Sequence, residues 1–213
     1  MRQPLTRSAI VFASALCLAA LAPSGARALP PENTTRIALE AGWRYQPNAR
    51  FAEWAAINGH TSTGQSSGGP ALIATFGYRP LAEIEVAIEI GFAYERYGFL
   101  GEKPMELNQL PITLSVRYTP FTGSIYPYVG LGYGYVLNFF TDAPGGGIES
   151  HGSGPTALLG VAFEVSKRVS ILAEYRYTYC RVEVGNLGYL QAGGNGFYVG
   201  VQLAFPPEDN RLQ

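Results

Sequence analysis

The sequence predicts an all-β chain folded as a transmembrane, eight-stranded, antiparallel up-and-down barrel, preceded by a cleavable signal peptide. Three observations predict it. Large apolar side chains recur at every second position through most of the chain, with Gly, small or charged residues between them. Apolar-out, polar-in alternation in segments of about ten residues is the signature of a strand that faces lipid. Second, mean hydropathy is slightly positive despite 26 Gly and 15 Pro, yet no apolar run beyond the leader approaches the roughly 18 residues a membrane helix needs. Dispersed lipid-facing residues reconcile the two, because a closed sheet pairs every backbone group internally. Third, long Gly-rich connections alternate with short ones, as in barrels with short periplasmic turns and long outside loops.

The leader comes first. Arg2 and Arg7 make a positive start, Ala9 to Ala22 is apolar apart from Ser14, and Ala26-Arg27-Ala28 offers a small-x-small cleavage site. Residues 1–28 are read as the signal and Leu29 as the mature start. Cys17 follows Leu16, which is not a lipoprotein pattern. The barrel is expected over 29–205 and a short periplasmic tail over 206–213. Of the 15 basic residues, Arg2, Arg7 and Arg27 leave with the signal, so 12 face 16 acids, a net of about −4. That excludes nucleic acid as a partner class. Cys180 alone survives cleavage, on an inward position, and reads as an inert packed thiol.

The strands follow in order. The first, over 35–45, puts Ile37, Leu39, Ala41, Trp43 and Tyr45 outward and Ala38, Glu40, Gly42 and Arg44 inward. The second, over 71–79, points Leu72, Ala74, Phe76 and Tyr78 out. The third, over 83–97, alternates Ile84, Val86, Ile88, Ile90, Phe92 and Tyr94 with Glu83, Glu85, Ala87, Glu89, Gly91, Ala93 and Glu95. The fourth, over 110–118, exposes Ile112, Leu114, Val116 and Tyr118. The fifth, over 126–139, sets Val129, Leu131, Tyr133, Tyr135, Leu137 and Phe139 against inward Gly130, Gly132, Gly134 and Asn138. The sixth, over 156–165, presents Ala157, Leu159, Val161 and Phe163. The seventh, over 170–181, presents Ile171, Ala173, Tyr175, Tyr177 and Tyr179, with Glu174, Arg176 and Thr178 inside. The eighth, over 196–205, presents Phe197, Val199, Val201, Leu203 and Phe205. Residues 46–70, 98–109, 140–155 and 182–195 are read as long loops, and 80–82, 119–125 and 166–169 as short turns. Pro206-Pro207 ends the ladder, since neither can donate. A soluble barrel of the same size would invert the parity. Its interior is just wide enough for side chains and could not hold Phe and Tyr at every inward position.

Leu110-Pro111-Ile112-Thr113-Leu114-Ser115-Val116-Arg117-Tyr118, Tyr126-Pro127-Tyr128-Val129-Gly130-Leu131-Gly132 and Ala173-Glu174-Tyr175-Arg176-Tyr177 resemble small outer-membrane β-barrel proteins of the OmpA-domain, OmpX and OmpW type. Gly200, Leu203 and Phe205 match that group's assembly signal. The likeness covers about residues 34–205, with eight residues following Phe205 where the simplest pattern ends on the aromatic. It implies the cell outer membrane, with outer-membrane lipid, lipopolysaccharide and the barrel assembly machinery as partners, and a surface ligand or a host or envelope protein at the loops. Barrels of this group serve as adhesins, channels, enzymes and anchors, so function rests on the site.

The candidate interior charges are Glu40, Glu83, Glu85, Glu89, Glu95, Glu164 and Glu174 with Arg44, Arg79, Arg117 and Arg176, an acid excess. Buried charge in so narrow a space must be paired, so a salt-bridged plug is expected over a polar pathway, with Arg117 paired to Glu83 or Glu85. Gly130-x-Gly132-x-Gly134 lies within a strand, unlike a phosphate loop; its glycines are expected to leave room for Arg and Tyr side chains opposite. Trp43, Tyr45, Phe92, Tyr94, Tyr135, Phe139 and Tyr179 form an aromatic belt on the long-loop side, and Phe76, Tyr78, Tyr118, Phe163 and Phe205 one on the short-turn side. His60-Thr61-Ser62 and His151-Gly152-Ser153 set a His two residues before a Ser, the nucleophile–base arrangement that outer-membrane lipid A deacylases carry on an eight-stranded barrel. Both pairs fall in segments read as loops, and no acid is spaced to orient either His. The expectation is therefore no catalytic residue, metal or cofactor. The protein is expected to act through its loops in surface interaction or envelope structure, with Phe51 and Trp54 as contacts. The alternatives are a narrow channel for small polar or hydrophobic solutes and, behind it, a lipid A-modifying enzyme.

Overall fold

The computed structural model describes residues 32–46, 56, 61, 68–98, 100–101, 104–120, 123–141, 148–183 and 189–206. The expected signal, Leu29, Phe51, Trp54, His60, Ser62 and the tail beyond Pro206 lie outside them.

Among the described residues, ten strands form one antiparallel sheet: β1 Thr34–Tyr45, β2 Gly69–Leu81, β3 Ile84–Tyr97, β4 Met105–Tyr118, β5 Ile125–Thr141, β6 Ile148–Ser166, β7 Val169–Thr178, β8 Arg181–Glu183, β9 Tyr189–Gln191 and β10 Gly194–Phe205. β1 to β7 pair in sequence, β7 pairs with β10 and β10 with β1, which closes an eight-stranded ring. The closing register runs from Thr35↔Phe205 to Tyr45↔Asn195. β8 and β9 are a small hairpin continuing β7 and β10 beyond the ring. The step occurs at Cys180, whose carbonyl accepts from the Ala192 and Gly193 amides at 2.8 and 3.3 Å.

The parity matches the sequence expectation. Leu131 is 72% exposed, Leu39 63% and Phe76 56%, whereas Ala162 and Leu172, on the other face, are 0%. A soluble barrel would not leave its largest apolar side chains outside, so the wall is a lipid-facing surface. No described helix is long and apolar enough to cross a membrane; strands do the crossing.

The strands are longer than expected on the outer side. β6 starts at Ile148, so Glu149, His151 and Ser153 are strand residues and the expected loop 140–155 shrinks to 142–147. The 182–195 loop likewise gives way to β8 and β9. Gly and Ser between 146 and 154 read as turn composition. Here they allow close backbone approach: a Cβ on Gly154 would meet the Tyr179 carbonyl oxygen at 1.8 Å. The long partner strand β5 supplies the ladder, Tyr135↔Ser153 and Leu137↔His151 among its pairs.

The β2–β3 and β6–β7 ladders shift register beside their turns, at Tyr78–Leu81 and Glu164–Ser166, and the β3–β4 ladder is interrupted in mid-strand. β3 and β4 pair from Ile84↔Tyr118 to Ile90↔Ile112 and resume at Ala93↔Gln109. Gly91 and Phe92 face Pro111 and Leu110 across the gap. Pro111 has no N–H to give, and its ring packs where a Gly91 Cβ would sit, at 2.8 Å.

Candidate functional site

The interior is layered by strand position. At the short-turn end, Glu85 accepts from Arg36 and from Arg79 Nη2, the latter at 3.5 Å. Tyr126 Oη lies 3.2 Å from Ser170 Oγ, and Gln202 donates to Tyr126 at 3.4 Å. One layer further out, Glu89 accepts from Arg117 Nη2 at 2.7 Å, from Ser115 at 2.8 Å and from Arg176. Arg176 also holds Glu174 at 2.6 Å, and Arg117 approaches Glu174 at 3.5 Å. Tyr128 Oη donates to Glu174 at 3.0 Å. The Arg117 and Arg176 guanidinium groups lie 5.4 and 5.9 Å from the ring centres of Tyr128 and Tyr198.

Two glycines make these rings possible. A Cβ on Gly160 would stand 2.3 Å from the Tyr128 ring, and one on Gly196 2.4 Å from Tyr198. Gly130, Gly132 and Gly134 instead lie against Leu158, Thr113 and Ser115. Gly130 does lie opposite Arg117 in the ladder; for Gly132 and Gly134 the expectation of an Arg or Tyr opposite is corrected, because the neighbouring strands carry Ser115, Thr156, Thr113 and Gly154 at that level.

A third layer is polar but mostly uncharged. Arg44 donates to Gln109 and, at 2.5 Å, to the Ala192 carbonyl; Gln109 donates to Asn138 at 2.5 Å. Above it, Tyr97, Met105, Leu107 and Val182 are buried at 1–2% exposure, and Glu95 among them accepts from the Tyr97 hydroxyl at 3.1 Å, so the outer part of the interior is mostly apolar around one carboxylate. Between the second and third layers lies a cavity of about 30 Å³, lined by Arg44, Glu89, Thr113, Arg176 and Tyr198, which reaches Gly91, Phe92 and Pro111 at the ladder gap. It has room for about two waters.

The structure brings together Glu40, Arg44, Arg79, Glu85, Glu89, Arg117, Glu174 and Arg176 as buried interior residues. It excludes two expected members. Glu164 is exposed and Glu83 half-buried, because Glu83 sits in the turn between β2 and β3 and Glu164 at the register shift that ends β6. It adds Arg36, buried at 6%, which inward parity extended two residues back from Ala38 would have found. The buried interior therefore holds Glu40, Glu85, Glu89, Glu95 and Glu174 against Arg36, Arg44, Arg79, Arg117 and Arg176, and the acid excess disappears. The expected Arg117 partner is also corrected. Arg117 lies opposite Glu85 in the ladder, but Glu85 is taken by Arg36 and Arg79, and the long Arg117 side chain reaches Glu89 instead. Glu40 is fully buried and neither of its oxygens accepts a hydrogen bond. No described group of three His, Cys, Asp or Glu could hold a metal. Gly200 lies inside against β1; Leu203 and Phe205 face outward at 43% and 48% exposure.

The family model for the outer membrane protein beta-barrel domain matches residues 9–205. The chain belongs to this family. Its place is the outer membrane. No curated protein matches the chain. Among solved structures, it is similar to OprG from Pseudomonas aeruginosa, at 15% identity over 83% of this chain and 97% of that one, with a TM-score of 0.63. Neisserial surface protein A (NspA) is 21% identical over 81% and 97%, at 0.53. The N-terminal β-barrel domain of Pseudomonas aeruginosa OprF is 15% identical over 82% and 99%, also at 0.53. These likenesses concern the fold.

Proposed function

We propose that this outer-membrane barrel is closed along its axis to hydrated solutes and acts at its outer end, in surface interaction or envelope structure, and not as an enzyme. The observation that carries the reading is the linked chain Arg117–Glu89–Arg176–Glu174, stacked on Arg36–Glu85–Arg79. Paired charges held by several hydrogen bonds each do not part for a passing ion, since a broken buried pair leaves an uncompensated charge. The packed layer around Leu107 and Met105, with Glu95 bonded to Tyr97 inside it, adds a second obstacle to hydrated solutes. The test is single-channel recording in planar bilayers. Wild type is expected to show no steady conductance and the Arg117→Ala/Arg176→Ala variant to open steps. Steady conductance by wild type would remove this reading.

A second reading has its own observation, the ladder gap at Pro111 beside the cavity. Small apolar solutes entering the mostly apolar outer interior would leave sideways into the outer leaflet there. Pro111→Val restores a backbone donor and should slow uptake of such solutes without changing protein abundance. Unchanged uptake would count against a side exit.

A further inference from the structure

The outward face of β6 changes character along its length. From the short-turn side it runs Phe163, Val161, Leu159, Ala157, Pro155, Ser153, His151, Glu149, and from Pro155 on no large apolar side chain remains. Ten residues separate Phe163 from Ser153. At about 3.3 Å per residue and a tilt near 40° that is roughly 25 Å, the height of the apolar band of such barrels. Ser153 therefore stands at the outer headgroup level.

The neighbouring strands complete a site. On one side Tyr133 and Tyr135 of β5 pair with Pro155 and Ser153. Tyr133 Oη lies 2.9 Å from Ser153 Oγ, and the Tyr135 ring is 5.7 Å from that of His151. On the other side Tyr177 pairs with Ala157, the Tyr179 amide donates to the Pro155 carbonyl at 2.9 Å, and Arg181 pairs with Ser153. Arg181 is exposed, and its guanidinium carbon lies 5.4 Å from the Tyr179 ring centre. Two pairs of tyrosines thus flank a shallow strip of small residues, Ala157, Pro155 and Ser153, that runs from the apolar band up to a cationic end. All of these side chains except Leu159, Val161 and Tyr175 alongside are exposed.

We propose that this strip is a docking site for one phosphorylated, multiply acylated glycolipid of the outer leaflet. An acyl chain lies along Ala157 and Pro155 between the tyrosines, and a phosphate meets Arg181, with the imidazole of His151 and the Ser153 hydroxyl as further donors. Three things favour this occupant. The strip is narrow, as one acyl chain requires. Arg offers a planar fork that suits phosphate oxygens. The cation sits at the height where such a headgroup lies, with tyrosines of the interfacial belt beside it. Glu149 lies one row beyond His151, on the solvent side, and takes no part. The inference is independent of whether the axis conducts.

The test is native mass spectrometry of the full chain in detergent with three added lipids: bisphosphorylated lipid A, its dephosphorylated form and phosphatidylethanolamine. Wild type is expected to retain one bisphosphorylated lipid A and to hold the other two about tenfold more weakly, the scale of a lost charge-assisted hydrogen bond. Arg181→Ala/His151→Ala should lose about the same factor, Arg181→Lys should keep part of it, and Glu149→Gln should bind as wild type does. Ala157→Trp, which blocks the strip and leaves the charges, should also weaken binding. All these positions are exposed, and heat-dependent gel mobility reports that each variant is folded. Equal retention of all three lipids, or wild-type retention by both the double variant and Ala157→Trp, would overturn the proposal.

Discussion

At the residue scale the interior separates two kinds of buried carboxylate. Glu89 accepts from Arg117, Arg176 and Ser115, so its charge is compensated. Glu40, equally buried, has no such donor. The same chemical group should respond in opposite ways to loss of charge. Arg117→Ala leaves Glu89 with Arg176 and Ser115 alone and removes the second cation beside Glu174, and should cost up to about 3–5 kcal/mol, read from urea unfolding in lipid vesicles. Glu40→Gln replaces a carboxyl that has no donor to lose and should be neutral or stabilising. If Glu40→Gln destabilised as much as Arg117→Ala, the assignment of Glu40 as the unbonded member would be wrong.

At the element scale the closing strand carries the assembly prediction. Leu203 and Phe205 of β10 face lipid, with Phe205 opposite Thr35 at the end of β1. A charge at such a rim position costs roughly 0–1 kcal/mol, too little to unfold the barrel. Phe205→Asp should nevertheless lower the amount of protein in the outer membrane sharply if Gly200, Leu203 and Phe205 are read during assembly. Immunoblotting of membrane fractions decides, and normal levels would dismiss the signal. The same scale explains the gap between β3 and β4: one proline removes the donor on the β3 side of β4 while Pro111 still pairs with Val136 of β5.

At the scale of the molecule, closure leaves the eight ring strands paired on both sides, with no edge within the ring for detergent to open. Unheated protein should migrate differently from boiled protein on a denaturing gel and give a β-type circular dichroism spectrum; a helical spectrum would end the barrel reading. His151 and Ser153 prove to share the outward face of β6, so the question of catalysis is sharper than the loop reading allowed. Ser153 is hydrogen-bonded to Tyr133, not to His151. Lipid A from cells making wild type, the His60→Ala/His151→Ala variant or no protein should be identical by mass spectrometry. A general base contributes at least ~10²-fold, so a His-dependent loss of an acyl chain would be plain.

What the sequence determined by itself is the face of the residues within the strands, away from turns such as those that hold Glu83 and Glu164. Strand parity is local: a period of two sends Leu131 out and Gly130 in whatever lies elsewhere, and eight such segments between turns imply a closed ring in a membrane. It follows that Arg44, Glu89 and Arg176 were legible as interior. Tertiary structure alone decided the partners and the ends. Arg117 is beside Glu85 in the ladder yet bonds Glu89, because a long side chain in a closed ring reaches across several rows, and the choice depends on which competitors, here Arg36 and Arg79, already occupy Glu85. The outer ends of β5 and β6 extended past the composition that marks turns, because a strand continues where a neighbour offers hydrogen bonds, and Gly152 and Gly154 let that neighbour come close. That extension moved His151 from a loop to the wall of the barrel and set it, with Arg181 of a strand some thirty residues later, at the height where lipid headgroups lie.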